Sequence, residues 1–343
     1  MKQEKLEQKV IELFERQDFE VKKREDKLEA INDDQELTLK VFSSEKYSVQ
    51  EVKQSVIEGD KVFVDQDLET VEEVLENVSV IRKDEEGKDY DLPSYELIGE
   101  IAVINELTVE ESEAVEGILE HHPSVKTILL KKEPLQGEFR VGKYRKLYGE
   151  ETETIHKEFG CKFKVDPTVA FFSEREGTER KRVLQGVEDG ERILVMFSGV
   201  GPYLVFLAKN RDVEVLGVEK NPEAVDFARE NVEMNDVGDS VKIIEGDVGE
   251  EVPKLGKFDR ILMPSPTNAD QFLNEAFEAA KQGTTIAFYS ISDKEEPFRG
   301  LVEKLKEKAN EKNFKISFGE NRVVSGYSPG KVKVCINLVV NSK

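Results

Sequence analysis

Tryptophan is absent, and 343 residues contain only two cysteines and three histidines. Cys161 and Cys335 are too few for a disulfide framework. No CxxC occurs and no histidine cluster offers zinc a ligand set, so no metal is expected. No apolar run approaches the ~20 residues needed to cross a bilayer. The stretch "MKQEKLEQKVIELFERQ" is charged from its second residue and lacks the apolar centre of a signal peptide. Tracts rich in proline, serine or glutamine are missing too, and 38% hydrophobic residues is ordinary for a globular chain of two or three domains. These absences point to a soluble, cytoplasmic protein with no membrane partner, expected to be monomeric.

Positive charge is also scarce. The formal net charge is -22, which argues against general affinity for nucleic acid, because neutralising phosphates takes lysine and arginine. The deficit is uneven. Lys131 to Lys146, "KKEPLQGEFRVGKYRK", holds six basic and two acidic residues. A basic island in an acidic chain suggests a confined anionic ligand, although a chance cluster on a solvated face reads the same way.

Residues 1–88 mix a short amphipathic helix (Val10, Leu13, Phe14) with alternating strands such as "LTLKVFSS" and "KVFVD". The polar run "RKDEEGKD" reads as a linker. Residues 92–165 form a second small α+β unit: strand-like "YELIGEIAVINE", the helix "VEESEAVEGILEHHPSV" and the strand "KTILLKK". From residue 166 to 343 the pattern is regular. "RILVMF", "VEVLGVE", "VKIIEGD", "DRILMPSP" and "TTIAFYSI" alternate with helical stretches, which predicts a doubly wound α/β domain with a mostly parallel sheet. "FKISFGENRV" and "KVKVCINLVV" follow each other without a helix and should finish the sheet as an antiparallel pair.

The glycines of "FSGVGPY" fall between the first strand and its helix, where such sheets bind ligands. A dinucleotide site would want a third glycine where Leu204 stands, and a P-loop would want Lys-Ser/Thr after its glycines. Glu219 ends the second strand, where a carboxylate can accept from both hydroxyls of a ribose. Asp247 ends the third, beside an adenine edge. Glycine turn, ribose carboxylate and adenine-side acid on three successive strands favour S-adenosylmethionine over the helix-capping or solvated role that each acid would otherwise have.

The flanking motifs are more specific. "GEFRVGKYRKLYG", "TETIHKEFGCKFKVD", "FFSEREGTERKR", "FSGVGPY", "EKNPEAV" and "YSPG" resemble, in order, the archaeal and eukaryotic tRNA (guanine-N1)-methyltransferases acting at position 37, beside the anticodon. The resemblance runs from about Tyr95 to the end, and residues 1–88 share only size and placement with it. It implies a Rossmann-like class I methyltransferase domain and tRNA as partner, met at its anticodon-loop region. Glu179 matches the family's general base and Arg140 the arginine that stabilises charge on O6. Arg175, Lys143 and Arg145 would face the substrate. Arg180, Phe197, Gly199, Gly201, Glu219, Lys220, Asp247, Val248 and Pro264 would form the cofactor site. Read without the resemblance, Glu179 with Arg180 and Arg182 is an ordinary surface ion-pair cluster, and Arg140 a phosphate contact.

Three positions depart from the family pattern. Val195 stands where an acidic residue usually precedes "MF-GVGP", and Pro264 stands where an asparagine is common, offering neither N–H nor amide. The first domain, which in the family grips the outer corner of tRNA, is acidic here. Two alternatives therefore stay beside methylation of guanosine: a non-catalytic tRNA-binding module with a retained cofactor fold, and a relative that also methylates a wyosine precursor.

Overall fold

The computed structural model describes residues 20–24, 27–31, 36–39, 92–132 and 141–342. The chain divides into two compact units, residues 1–89 and 90–343. In the first, β1 (Glu20–Arg24), β2 (Lys27–Ile31) and β3 (Glu36–Leu39) form an antiparallel meander. β3 opens the run "LTLKVFSS". The helix expected around Val10 and the strand "KVFVD" lie outside the described residues.

The second unit opens with a four-stranded sheet in the order β4-β5-β6-β7: β4 (Tyr95–Ile98), β5 (Ile101–Ile104), β6 (Thr127–Lys131) and β7 (Tyr144–Tyr148). The stretch read as one strand, "YELIGEIAVINE", is a hairpin, because Gly99 turns the chain at φ +56. A side chain there would meet the Ile155 carbonyl oxygen at 2.8 Å, so both conformation and space call for glycine. Helix α1 (Glu111–His121) lays Ala114 and Ile118 against Ala102, Ile104 and Ile128 of the sheet. Glu111 and Glu113 sit in its first turn, where the helix dipole favours negative charge.

Next come the hairpin β8 (Thr154–Glu158) and β9 (Cys161–Val165), and then helix α2 (Gly177–Gln185). The spacing of motifs assigns this hairpin to the middle domain, with a boundary at residue 165. In the structure Cys161, Phe163 and Val165 share one apolar cluster with Ile101 and Leu129 on one side and Val205, Phe206 and Ala224 on the other. Residues 90–343 are accordingly one compact unit.

A seven-stranded sheet dominates it, in the order β12-β11-β10-β13-β14-β16-β15. β10 (Arg192–Met196), β11 (Glu214–Glu219), β12 (Val241–Glu245), β13 (Phe258–Met263) and β14 (Ala280–Asp293) run parallel. β15 (Lys315–Ser328) and β16 (Lys331–Ser342) add the expected antiparallel pair. Helices α3 (Pro202–Asn210), α4 (Pro222–Met234), α5 (Val248–Glu251), α6 (Leu273–Ala279) and α7 (Arg299–Glu311) complete it. Strands buried on both faces need continuous apolar runs, and β10 supplies one: Ile193, Leu194, Val195 and Met196 are all fully buried. α4 starts as its sequence predicts, with Asn221 accepting from the Glu223 N–H and Pro222 in the first turn.

One feature of α4 is not visible in its apolar pattern. Asn231 accepts from the Lys164 N–H at 2.6 Å and donates to the carbonyls of Lys164 and Val200. Four residues on, Asn235 accepts from the Lys162 N–H and donates to its carbonyl. Two buried amides thus pair with alternate residues of β9 as a neighbouring strand would, satisfying an edge that the sheet leaves open.

Candidate functional site

Beyond the carboxyl ends of β10, β11 and β13 lies a cavity of about 750 Å³. Its floor is the turn after β10. Gly199 and Gly201 adopt φ +55 and +81, and Phe197 is also left-handed at φ +60, a cost of about 1–2 kcal/mol for a residue with a Cβ. A Cβ on Gly201 would press on that of Ala228 at 3.3 Å, whereas one on Gly199 would meet only the Phe171 carbonyl oxygen at 3.9 Å. The first glycine is required by backbone conformation, the second by conformation and packing.

Glu219 fixes the turn from the side. One carboxylate oxygen accepts from the Gly199 N–H at 2.8 Å, and the other from the Lys220 and Asn221 N–H groups at 2.9 and 2.8 Å. Asp247 caps α5 through the Gly249 N–H and accepts from Lys220 Nζ at 3.0 Å. That hydrogen bond to the ammonium, aided by the Gly249 N–H, holds the Asp247 carboxyl below the usual carboxylate range. Phe197 meets Phe272 edge-on at 5.2 Å, and Val248, Pro264 and Pro266 extend the apolar wall.

Eight of the nine expected cofactor residues line this cavity: Phe197, Gly199, Glu219, Lys220, Asp247, Val248 and Pro264, with Arg180 beside them. Gly201 supports the turn from behind as the N-cap of α3. Arg180 also lines the cavity, but its guanidinium is committed elsewhere. It grips Glu158 with two hydrogen bonds, donates to the Ser173 carbonyl at 3.3 Å and lies over the Phe172 ring. Arg180 is a buried anchor for the Phe172–Ser173 wall. Val195 is in the β10 core, not on the wall.

The substrate-side residues divide. Arg175 lines the cavity mouth, paired with Glu96 at 2.7 Å, and Lys131 of the basic island lines it too. Lys143 and Arg145 do not line it. Lys143 is exposed, and Arg145 makes two hydrogen bonds to Glu111 of α1. Arg140 lies outside the described residues.

Glu179 does not reach the cavity wall, contrary to the convergence the motifs suggest. It is only 3% exposed, on the side of α2 that faces the sheet. Arg182 donates to both of its oxygens at 2.8 and 2.6 Å, and the Tyr289 hydroxyl donates to one of them at 2.6 Å. Tyr203, a cavity-lining phenol, stands 3.4 Å from Tyr289, oxygen to oxygen. Sequence reasoning missed Tyr203 and Tyr289 because each sits in an apolar run that reads as core. It also missed Glu176, which lines the cavity and pairs with Lys333 of β16 at 2.6 Å. Only the fold brings these two together, 157 residues apart.

The parts fit an adenosyl sulfonium. An aromatic and aliphatic slot suits adenine, a strand-end carboxylate suits the ribose hydroxyls, and a left-handed glycine turn lets backbone approach the remainder. Fold and cavity define a class I, S-adenosylmethionine-dependent methyltransferase. The TRM5/TYW2 methyltransferase domain matches residues 154–317. The tRNA (guanine(37)-N(1))-methyltransferase Trm5b of Pyrococcus abyssi is 34% identical over 286 residues, 80% of this chain and 85% of that one. The chain belongs to this Trm5/TYW2 family. The crystal structure of that relative superposes with a TM-score of 0.66 over 72% of this chain and 75% of its own. The tRNA (guanine(37)-N(1))/4-demethylwyosine(37)-methyltransferase Taw22 of Nanoarchaeum equitans is 34% identical, covering 62% of this chain and 88% of its own. The structure of aTrm5 in complex with tRNALeu matches over 99% of this chain and 98% of its own, at 25% identity and a TM-score of 0.66.

Proposed function

We propose that the protein transfers a methyl group from S-adenosylmethionine to N1 of guanosine at position 37 of tRNA. The observation that carries this reading is the Glu219 cradle. A carboxylate is pinned by three backbone N–H groups beside the glycine turn, in a chain 34% identical over most of its length to an enzyme named for that reaction. Glu219 would accept from the ribose hydroxyls. Phe197, Val248 and Phe272 would enclose the adenine, and Pro264 and Pro266 give the opposite wall a fixed backbone. The cofactor, when bound, supplies a methyl group activated on a sulfonium.

This chain's residues then have three tasks. Alignment of N1 with that methyl group falls to the cavity walls, where positioning alone is worth several orders of magnitude. Charge building on O6 falls to Arg140, as the family resemblance implies, and the N1 proton ends on Glu179. Arg175 and Lys131, which line the cavity, suit the phosphates of an anticodon loop.

The test is purified protein with labelled S-adenosylmethionine and tRNA transcripts bearing G or A at position 37, followed by nucleoside analysis. N1-methylguanosine from the G transcript alone supports the reading, and label in both transcripts removes it. A tRNA carrying 4-demethylwyosine in parallel reports whether the substrate range of Taw22 extends to this chain. Absence of label from every substrate would favour a tRNA-binding module.

A further inference from the structure

Glu179 and the cavity are separated by a layer of two buried phenols, and hydrogen bonding fixes the polarity of that layer. An ionised carboxylate only accepts, so Tyr289 donates its proton to Glu179. With its one proton so used, the Tyr289 oxygen can only accept in its contact with Tyr203. Tyr203 therefore donates inward, and it is one of the residues that line the cavity.

We propose that Tyr203 and Tyr289 form a proton relay through which Glu179, set back from the wall, acts as the base for guanine N1. The inference rests on the reading of guanosine N1 as the methyl acceptor. As the N1–H bond breaks, a proton passes to the Tyr203 oxygen. The proton of Tyr203 passes to Tyr289, and that of Tyr289 to Glu179 Oε1, which becomes a carboxylic acid. The electron pair left on N1 forms the bond to the methyl carbon, and the pair of the breaking S–CH3 bond stays on sulfur as a neutral thioether. Both phenols begin and end neutral. Burial, with the nearby carboxylates of Glu176 and Glu179 acting on Tyr203, raises both tyrosines well above their ordinary value, which disfavours a tyrosinate at either position. The 3.4 Å oxygen separation is long for a hydrogen bond, and such links commonly tighten only with substrate bound. Arg182 holds Glu179 in register and has Glu320 at 3.7 Å as a second partner once Glu179 is neutral.

The relay is tested with Tyr203→Phe and Tyr289→Phe, which keep the ring volumes. Single-turnover methylation of a G37 transcript is measured beside S-adenosylmethionine affinity, tRNA affinity and melting temperature. We expect each variant to lose ~10- to 1000-fold in rate, the range of a general acid–base contribution, with both affinities within about threefold of wild type. Combined with Glu179→Gln, either change should add little, because the three groups work in series. The wild-type rate should fall in D2O with a curved dependence on deuterium fraction, and the curvature should vanish in Tyr289→Phe. Folded Phe variants that keep wild-type rates overturn the relay alone. A wild-type protein that forms no N1-methylguanosine overturns the underlying reading and the relay together.

Discussion

Replacing Glu219 with glutamine perturbs the cofactor site with the smallest change of shape. In the native protein its two oxygens serve three N–H donors, Gly199 on one side and Lys220 with Asn221 on the other. An amide has one oxygen. If that oxygen stays with Lys220 and Asn221, the NH2 group faces the Gly199 N–H, donor against donor. The reverse orientation costs two bonds instead of one. Hydrogen bonds to a charged partner are worth about 1.5–3 kcal/mol each, and the same carboxylate would accept from ribose. Loss of one such bond to the ligand raises the dissociation constant by ~10- to 150-fold. Calorimetric titration with S-adenosylmethionine and S-adenosylhomocysteine at fixed salt should show both weakened alike, because the substitution touches the nucleoside and not the sulfonium. Affinities within twofold of wild type would refute the ribose role. Selective loss of only one ligand would show that Glu219 senses the sulfonium charge instead.

Two further outcomes follow from the buried groups. Asn231→Ala strands the Lys164 N–H and two carbonyls, so it should cost about 3–5 kcal/mol and lower the melting temperature by ~6–20 °C. A fall below about 3 °C would mean that water replaces the amide. Burial pushes the Cys161 thiol up to about 11, and burial with the Glu179 carboxylate pushes that of Cys335 up to about 12. The native protein should therefore leave a thiol reagent unconsumed at pH 8 and expose both thiols only on unfolding, as a colorimetric titration would record.

Residues whose signal is local announced themselves in the chain. The apolar run of β10, the Asn-Pro start of α4 and the positive-φ glycines after β10 each need only neighbours a few residues away. The convergence of Glu219 and Asp247 on one cavity was legible for the same reason: a doubly wound sheet brings strand ends to one edge. What escaped depends on long-range partners. Arg180 is held by Glu158, on a hairpin 22 residues earlier. The position of Glu179 is decided by Tyr289, 110 residues later. The grip of α4 on β9 runs through two asparagines, and asparagine in a helix carries no periodic signal. "YELIGEIAVINE" hid a hairpin since both its strands are largely apolar and its turn is only the two residues Gly99 and Glu100.

The central claim is that one atom of one nucleotide receives the methyl group. Mass-resolved nucleoside analysis of a G37 transcript after incubation with deuteromethyl S-adenosylmethionine tests it most directly. The account predicts label in N1-methylguanosine and none when position 37 is adenosine. Label in any other nucleoside of the G37 transcript, or equal label in both transcripts, would contradict it.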